Sequence, residues 1–225
     1  MKVKISRILT NIERYGGCRA VNQRKTNVTN LFNDDDDKKD EPKSNSEHLN
    51  KILFEARKIF VTGGINMDMA QEICARLHAM AHVSNDPITM IICSPGGHVE
   101  AGDMIHDTIK FIEPDVKVLG SGYVASAGAL IYAAAKKENR FATPNTRFLL
   151  HQPSGGVGGD ASNIAIQAEQ IVVMRERLNK IFAKATGQTL AKISKDQDRD
   201  YWLTAKEAVD YGLAGKIIEN QRDLS

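Results

Sequence analysis

At 225 residues, with 42% hydrophobic and 26% charged side chains, the chain holds enough apolar material for one substantial domain of ordinary soluble character. A formal net charge of +2 gives no global reason to expect a nucleic-acid partner, and no apolar run reaches bilayer-spanning length, which argues against a membrane partner. Three irregularly spaced cysteines, Cys18, Cys74 and Cys93, argue against a disulfide framework or a zinc module and suit a reducing compartment, the cytoplasm first.

Composition changes sharply near Glu47. Met1 to Asn33 carries seven Lys or Arg residues and one acid, Glu13, with Ile5, Ile8, Leu9 and Ile12 at helical spacing. Asp34 to Asp37 follow, then a polar run from Lys38 to Ser46. Residues 1–47 therefore read as a basic amphipathic arm on a flexible acidic linker, disordered by itself or processed, and 48–225 as the folded domain. The arm is rich in arginine but poor in serine, so a targeting segment with an organelle-matrix destination ranks below an appended extension.

Ile59 to Val61 reads as a short strand closed by Gly63-Gly64, and Met69, Ile73, Leu77 and Met80 form the buried stripe of a helix beginning near Asn66 or Asp68. After Asp86-Pro87, the apolar run Ile88 to Cys93 predicts an interior strand covered on both faces. Ser94-Pro95-Gly96-Gly97 reads as a turn into a helix from about Glu100 to Ile112, with Met104, Ile105, Thr108, Ile109 and Ile112 inward. Val116 to Leu119 is a third strand. It leads through Gly120 and Gly122 to Ser126 and an alanine-rich helix, Ala127 to Ala135. Arg147 to His151 is a fourth strand, and a glycine-rich stretch, Gly155 to Gly159, precedes a long helix from about Ala161 to Thr186, ended by Gly187. Short helices at Leu190–Lys195 and Thr204–Tyr211 and the apolar pair Ile217-Ile218 complete the domain. Alternation of strands and helices predicts an α/β fold of stacked βα units, with the turns at Gly96-Gly97 and Ser126 on one edge of the sheet. The long helix has no obvious place inside so small a domain, so it is expected to project and pack against another copy.

Ser126 stands where a strand gives way to a helix, beside unpaired backbone N–H groups. An ordinary N-cap explains such a serine equally well. A nucleophile needs a base and an acid to orient it. Among six histidines, His48, His78, His82 and His106 have simple structural explanations, and His98 is adjacent to a groove at most. The Cys74, His78, His82 stripe lacks a carboxylate to complete a metal site, so no metal is expected. His151 ends an apolar strand and is followed by Gln152-Pro153, which stops both strand and helix; it is rigidly held yet exposed. The acid comes from Asp196, Asp198 or Asp200, and the pattern alone leaves all three open.

Taken together, Ser94-Pro95-Gly96-Gly97, Ala125-Ser126-Ala127-Gly128-Ala129, Pro144-Asn145-Thr146-Arg147, His151-Gln152-Pro153, Gly155-Gly156 and Asp198-Arg199-Asp200 before Ala205-Lys206-Glu207-Ala208 resemble the proteolytic subunit of the Clp protease family over about Lys58 to Ile218. The resemblance implies the crotonase-like spiral of βα units with a projecting handle helix. It implies Ser126 as nucleophile, His151 as base and Asp200 as orienting acid, with the backbone N–H groups of Gly97 and Ala127 as oxyanion hole. Substrate would lie extended along Gly155, Gly156, Val157 and Gly158. Residues 161–186 would join two heptameric rings into a closed chamber, with Asp198 and Arg199 contacting the facing ring. A Clp-type AAA+ unfoldase would feed the chamber, so ATP is consumed by that partner and no cofactor is expected on this chain.

Departures fall beside these motifs. Cys93 replaces the usual asparagine before Ser-Pro-Gly-Gly, and Tyr123-Val124 replaces the usual Gln-Ala. Thr89 and Ile91 stand where tyrosines commonly help form the unfoldase-docking pocket. The axial loop of the family is unrecognisable in residues 1–47. Docking of the unfoldase is accordingly the weakest implication, and a divergent second copy working in mixed rings with another Clp proteolytic subunit fits the same pattern. A crotonase-like acyl-CoA enzyme and a purely structural subunit of a mixed ring are the competing readings, but neither needs Ser126, His151 and Asp200 together.

Overall fold

The computed structural model describes residues 45–156 and 158–224; residues 1–44, Val157 and Ser225 lie outside them. A first helix, α1 (Asn45–Glu55), spans the boundary between residues 47 and 48 and leads into β1 (Lys58–Ile65). Three helix–strand steps follow: α2 (Met67–Val83) to β2 (Ile88–Gly97), α3 (Val99–Phe111) to β3 (Val116–Ala125), and α4 (Ala127–Tyr132) to the short β4 (Arg140–Ala142). β5 (Arg147–Leu150), the long α5 (Ala161–Thr186), α6 (Leu190–Asp196), β6 (Tyr201–Thr204), α7 (Ala205–Tyr211) and β7 (Lys216–Ile217) complete the chain.

The sheet runs β1-β2-β3-β4-β7 with parallel neighbours, and β5 pairs parallel with β3 and antiparallel with β6. β3 changes partner along its length: Val118 to Gly120 pairs with β4, and Tyr123 to Ala125 pairs with β5. Thr146 helps that handover, because its hydroxyl and the Thr143 N–H both donate to the Gly120 carbonyl. The result is a split sheet whose β3–β5–β6 arm brings the ends of β3 and β5 and the start of β6 toward Ser126.

Packing explains which faces are apolar. On β2, Ile88, Met90 and Ile92 are fully buried, whereas Thr89, Ile91 and Cys93 are only half-buried. The strand is therefore covered completely on one face and partly on the other, which corrects the expectation of two covered faces. The covered side faces α3 and α4, and α2 packs on β1. The inner stripe of α2 is Ala70, Ile73, Cys74, Leu77 and Met80, with Asn66 capping its start. Its end is closed by Arg57, whose guanidinium donates to the carbonyls of Met80, Ser84 and Asp86. One side chain thus ties the last turn of α2 and the loop beyond it to the α1–β1 junction. On α3 the buried face is Ala101, Gly102, Ile105, His106 and Ile109, so Met104 is an exposed correction to the expected stripe.

Three glycine-marked stretches read as turns are extended strand in the fold. β1 continues through Gly63-Gly64, β2 through Ser94-Pro95-Gly96-Gly97, and β3 through Gly120 and Gly122. Bulges between Thr62 and Gly64 and between Ile92 and Ser94 absorb the irregular residues while pairing resumes at Gly64↔Gly96 and Ile65↔Gly97. These extensions carry the strand ends farther toward one edge than the apolar runs alone suggest.

The long helix matches its expected bounds, with Asp160 capping the first turn and Gly187 in the left-handed conformation closing the last. Residues 161–170 are exposed throughout, whereas Leu178, Asn179, Phe182 and Thr186 are buried against the domain. A bidentate ion pair at 2.6 Å, Arg177 to Asp103, ties that inner half to α3. The outer half carries exposed Ile164, Ile166, Val172 and Val173, apolar side chains spread around the helix with no cover in the single chain.

Candidate active site

β3 and β5 pair in register, Ala125 opposite Leu149, so the residues just beyond both strands emerge side by side. Ser126 follows β3 and His151 follows Leu150 of β5. They line one apolar pocket together with Val99, Leu130, Leu178 and Phe182. Two residues distant in the chain are thereby brought to a single edge by strand pairing alone.

Ser126 occupies φ 54, ψ −121, a region that non-glycine residues rarely enter, where strain is on the order of 1–3 kcal/mol. Its N–H is held by the Leu149 carbonyl at 3.0 Å, and its carbonyl accepts from Leu130 N–H at 3.1 Å. The side chain makes no capping bond, so the N-cap explanation fails and the hydroxyl is free for chemistry. A strained strand-to-helix turn of this kind lifts a hydroxyl clear of the backbone.

Behind Ser126 lies the Gly96-Gly97 segment, pressed so close that only glycine fits. A Cβ on Gly96 (φ +91) would lie 2.5 Å from Ser126 Cβ and 3.0 Å from the Ala127 nitrogen. A Cβ on Gly97 (φ +153) would collide with the Ile65 carbonyl oxygen. Ser94 holds this segment from inside the core: its hydroxyl donates to Gly63 O at 2.7 Å and accepts from Gly96 N–H at 3.0 Å. Sequence reasoning singled out the glycines but not Ser94, whose complete burial beside two polar backbone groups is visible only in the fold. As the first residue of α4, Ala127 has an N–H with no intrahelical partner.

The three aspartates left open by sequence separate cleanly. Asp196 accepts from Lys192 Nζ at 2.6 Å and Tyr211 hydroxyl at 2.7 Å. Burial opposes its ionised form, but those hydrogen bonds outweigh it and hold the carboxyl below the usual carboxylate range. Asp198 faces Arg175 of α5 at 3.2 Å. Asp200 alone faces His151, with Oδ1 3.4 Å from Nδ1. That separation suits an ion pair better than a short hydrogen bond. The Asp200 side chain is 65% exposed, and Ser126 and His151 share no hydrogen bond among the described residues. The constellation is gathered but not drawn tight in the single chain.

The remaining candidates are placed as follows. Gly155, Gly156 and Gly158 are exposed and lie outside any strand, with open space around Gly156 and Gly158; Val157 lies outside the described residues. Arg199 is 93% exposed, its Nε 4.0 Å from Asp198 Oδ2. His98 sits at the start of α3 near Glu100, and His106 is buried beside Asp107. Cys74 accepts a hydrogen bond from Thr108 and His78 packs edge-on against Phe111, so that stripe is structural.

Comparison with known proteins identifies the family. The family model described as Clp protease matches residues 40–221. ATP-dependent Clp protease proteolytic subunit 2 of Pseudomonas aeruginosa is 60% identical over 177 residues, covering 79% of this chain and 88% of that protein. Proteolytic subunit 3 of Rhizobium etli is 56% identical over 190 residues, covering 84% of this chain and 97% of that one. Among solved structures, ClpP1 from Listeria monocytogenes superposes with a TM-score of 0.72 at 51% identity, covering 79% of this chain and 99% of the other. Strand topology, the site-bearing edge and the kinship of nearly the whole described chain converge, and the chain belongs to the Clp protease family.

Proposed function

We propose that this chain is a serine endopeptidase subunit that hydrolyses unfolded polypeptides inside a double-ring chamber, with Ser126 as nucleophile, His151 as base and Asp200 as orienting acid. The observation that carries the assignment is the meeting of Ser126 and His151 in one pocket with Asp200 facing Nδ1 of the imidazole. Because Asp200 faces Nδ1, Nε2 is the nitrogen left for the serine. It takes the proton from Ser126 Oγ as that oxygen attacks the peptide carbonyl. The N–H groups of Gly97 and Ala127 receive the developing oxyanion, each donor contributing on the order of 3 kcal/mol of barrier reduction. The imidazolium then gives its proton to the leaving amine, and water repeats the sequence on the acyl-enzyme to free the product. No cofactor takes part on this chain.

Substrate lies extended along Gly155, Gly156, Val157 and Gly158 and pairs backbone to backbone, which leaves the side chains of the substrate little say in binding. Selectivity then resides in access to the chamber. We assign admission to a Clp-family AAA+ unfoldase, closure of the chamber to two stacked heptamers joined through residues 161–186, and a second Clp proteolytic subunit as a partner in mixed rings. The uncovered apolar side chains on the outer half of α5 support the ring-to-ring role. A fluorophosphonate that labels the particle at Ser126, together with hydrolysis of a short fluorogenic peptide by the same particle, tests the reading. Failure to label alongside binding of an acyl-CoA would transfer the site to crotonase-like chemistry.

Arg199 offers a test of assembly. It is almost fully exposed, so its loss should cost the folded subunit little. Arg199→Ala is expected to lower particle mass in sedimentation and peptide hydrolysis together, the latter by roughly tenfold. Full activity from particles of halved mass would separate assembly from catalysis.

A further inference from the structure

β5 and β6 pair residue for residue as far as Leu150↔Tyr201. Beyond that point the next backbone bond runs from Gln152 N–H to the Gln197 carbonyl at 2.7 Å. His151 is thus the single residue facing a loop of three, Asp198, Arg199 and Asp200. Arg199 at its tip projects into solvent, and Asp200 turns back toward His151. Pro153 has no N–H with which to continue the ladder. A loop so placed needs an anchor at its base, and the same Gln152 supplies one: its side-chain Nε2 donates to the Asp198 carbonyl at 2.8 Å. Among the described residues the Asp200 carboxylate has no partner besides His151, so its position depends on how the loop is held.

We propose that Gln152 is a positioning residue, whose paired backbone and side-chain hydrogen bonds hold the 198–200 loop in the shape that sets Asp200 on Nδ1 of His151. The inference rests on Asp200 being the acid of His151. The side-chain bond is the removable half, because the backbone bond survives any substitution but proline. Losing it loosens Asp200, and the imidazolium loses a nearby negative charge. The imidazolium is then less well stabilised in the transition state, which lowers kcat and leaves substrate binding unchanged.

The test uses the assembled particle. Gln152→Met keeps the length of the side chain and removes the donor; kcat should fall roughly five- to tenfold with KM little changed, at unaltered particle mass. Adding Gln152→Met to Asp200→Asn should cause no further loss, because both changes act through one carboxylate. Wild-type kcat in assembled Gln152→Met, or losses that multiply in the double variant, overturns the proposal. Should Gln152→Met fail to assemble, Gln152→Asn, which withdraws the amide by one methylene, carries the same three measurements. If Asp200→Asn alone keeps full activity, Asp200 is not the acid and both readings fall. If Asp200→Asn is impaired while Gln152→Met is not, only the role of Gln152 falls.

Discussion

Changing Ser126 to alanine should reduce peptide hydrolysis by about 10⁴-fold or more while leaving the particle intact. The expectation follows from what the hydroxyl does not do in the fold. It caps no helix and shares no hydrogen bond with His151, so its removal leaves no buried group unpaired. The strained backbone at this residue is fixed by main-chain bonds to Leu149 and Leu130, which alanine retains. Folding and assembly should therefore match the wild type by sedimentation, and the loss should appear in kcat. The fluorophosphonate adduct should vanish with it. Combining Ser126→Ala with His151→Ala should add almost nothing, because residues that act as a unit fail together. Hydrolysis undiminished in the Ser126→Ala particle would remove the nucleophile from the mechanism. A wild-type chain that binds a second proteolytic subunit yet takes no label and cleaves no peptide would be a structural member of a mixed ring.

Local chemistry explains which parts of this architecture are legible in the chain and which are not. α5 is legible at both ends, since Gly187 must adopt a left-handed conformation that terminates the helix and the run before it has no breaker. Ser126 and His151 are legible as candidates, because each stands where an apolar strand meets residues that end it. Asp200 is not. Its claim depends on β6, four residues just after a charged turn, and on antiparallel pairing with β5, a contact about fifty positions away along the chain. Composition offers no hint of that pairing; only the family resemblance singles Asp200 out. β4 escapes notice for a similar reason, being three residues long and stabilised by neighbours on both sides. The glycine-marked strand ends fail in the opposite sense. Gly and Pro signal turns locally, yet parallel neighbours on β1, β2 and β3 draw those residues into the sheet, with bulges absorbing the mismatch.

Those same bulged ends decide whether the serine can act, and Gly96→Ala should make this measurable. At φ +91 any side chain is strained, which alone costs roughly 1–2 kcal/mol. The larger effect is contact: the added methyl would meet Ser126 Cβ at 2.5 Å, the Ala125 carbonyl at 2.8 Å and the Ala127 nitrogen at 3.0 Å. Two of these three atoms are backbone, which cannot swing aside as the end of a flexible side chain would. Either Ser126 shifts away from His151 or the Ala127 N–H is screened from the carbonyl oxygen of the substrate. A displacement of that order lowers turnover by about 10²-fold, and loss of one oxyanion donor by a further 10²- to 10³-fold on typical figures. Gly63→Ala separates the two causes. Gly63 shares the left-handed backbone at φ +80, but a Cβ there meets nothing within 4 Å. It should lower the melting temperature without a comparable loss of kcat in the assembled particle. If Gly96→Ala and Gly63→Ala prove equally active per folded particle, close packing behind Ser126 does not govern the chemistry. If only Gly96→Ala loses turnover, the glycine turn works as the rigid back wall against which the nucleophile is set.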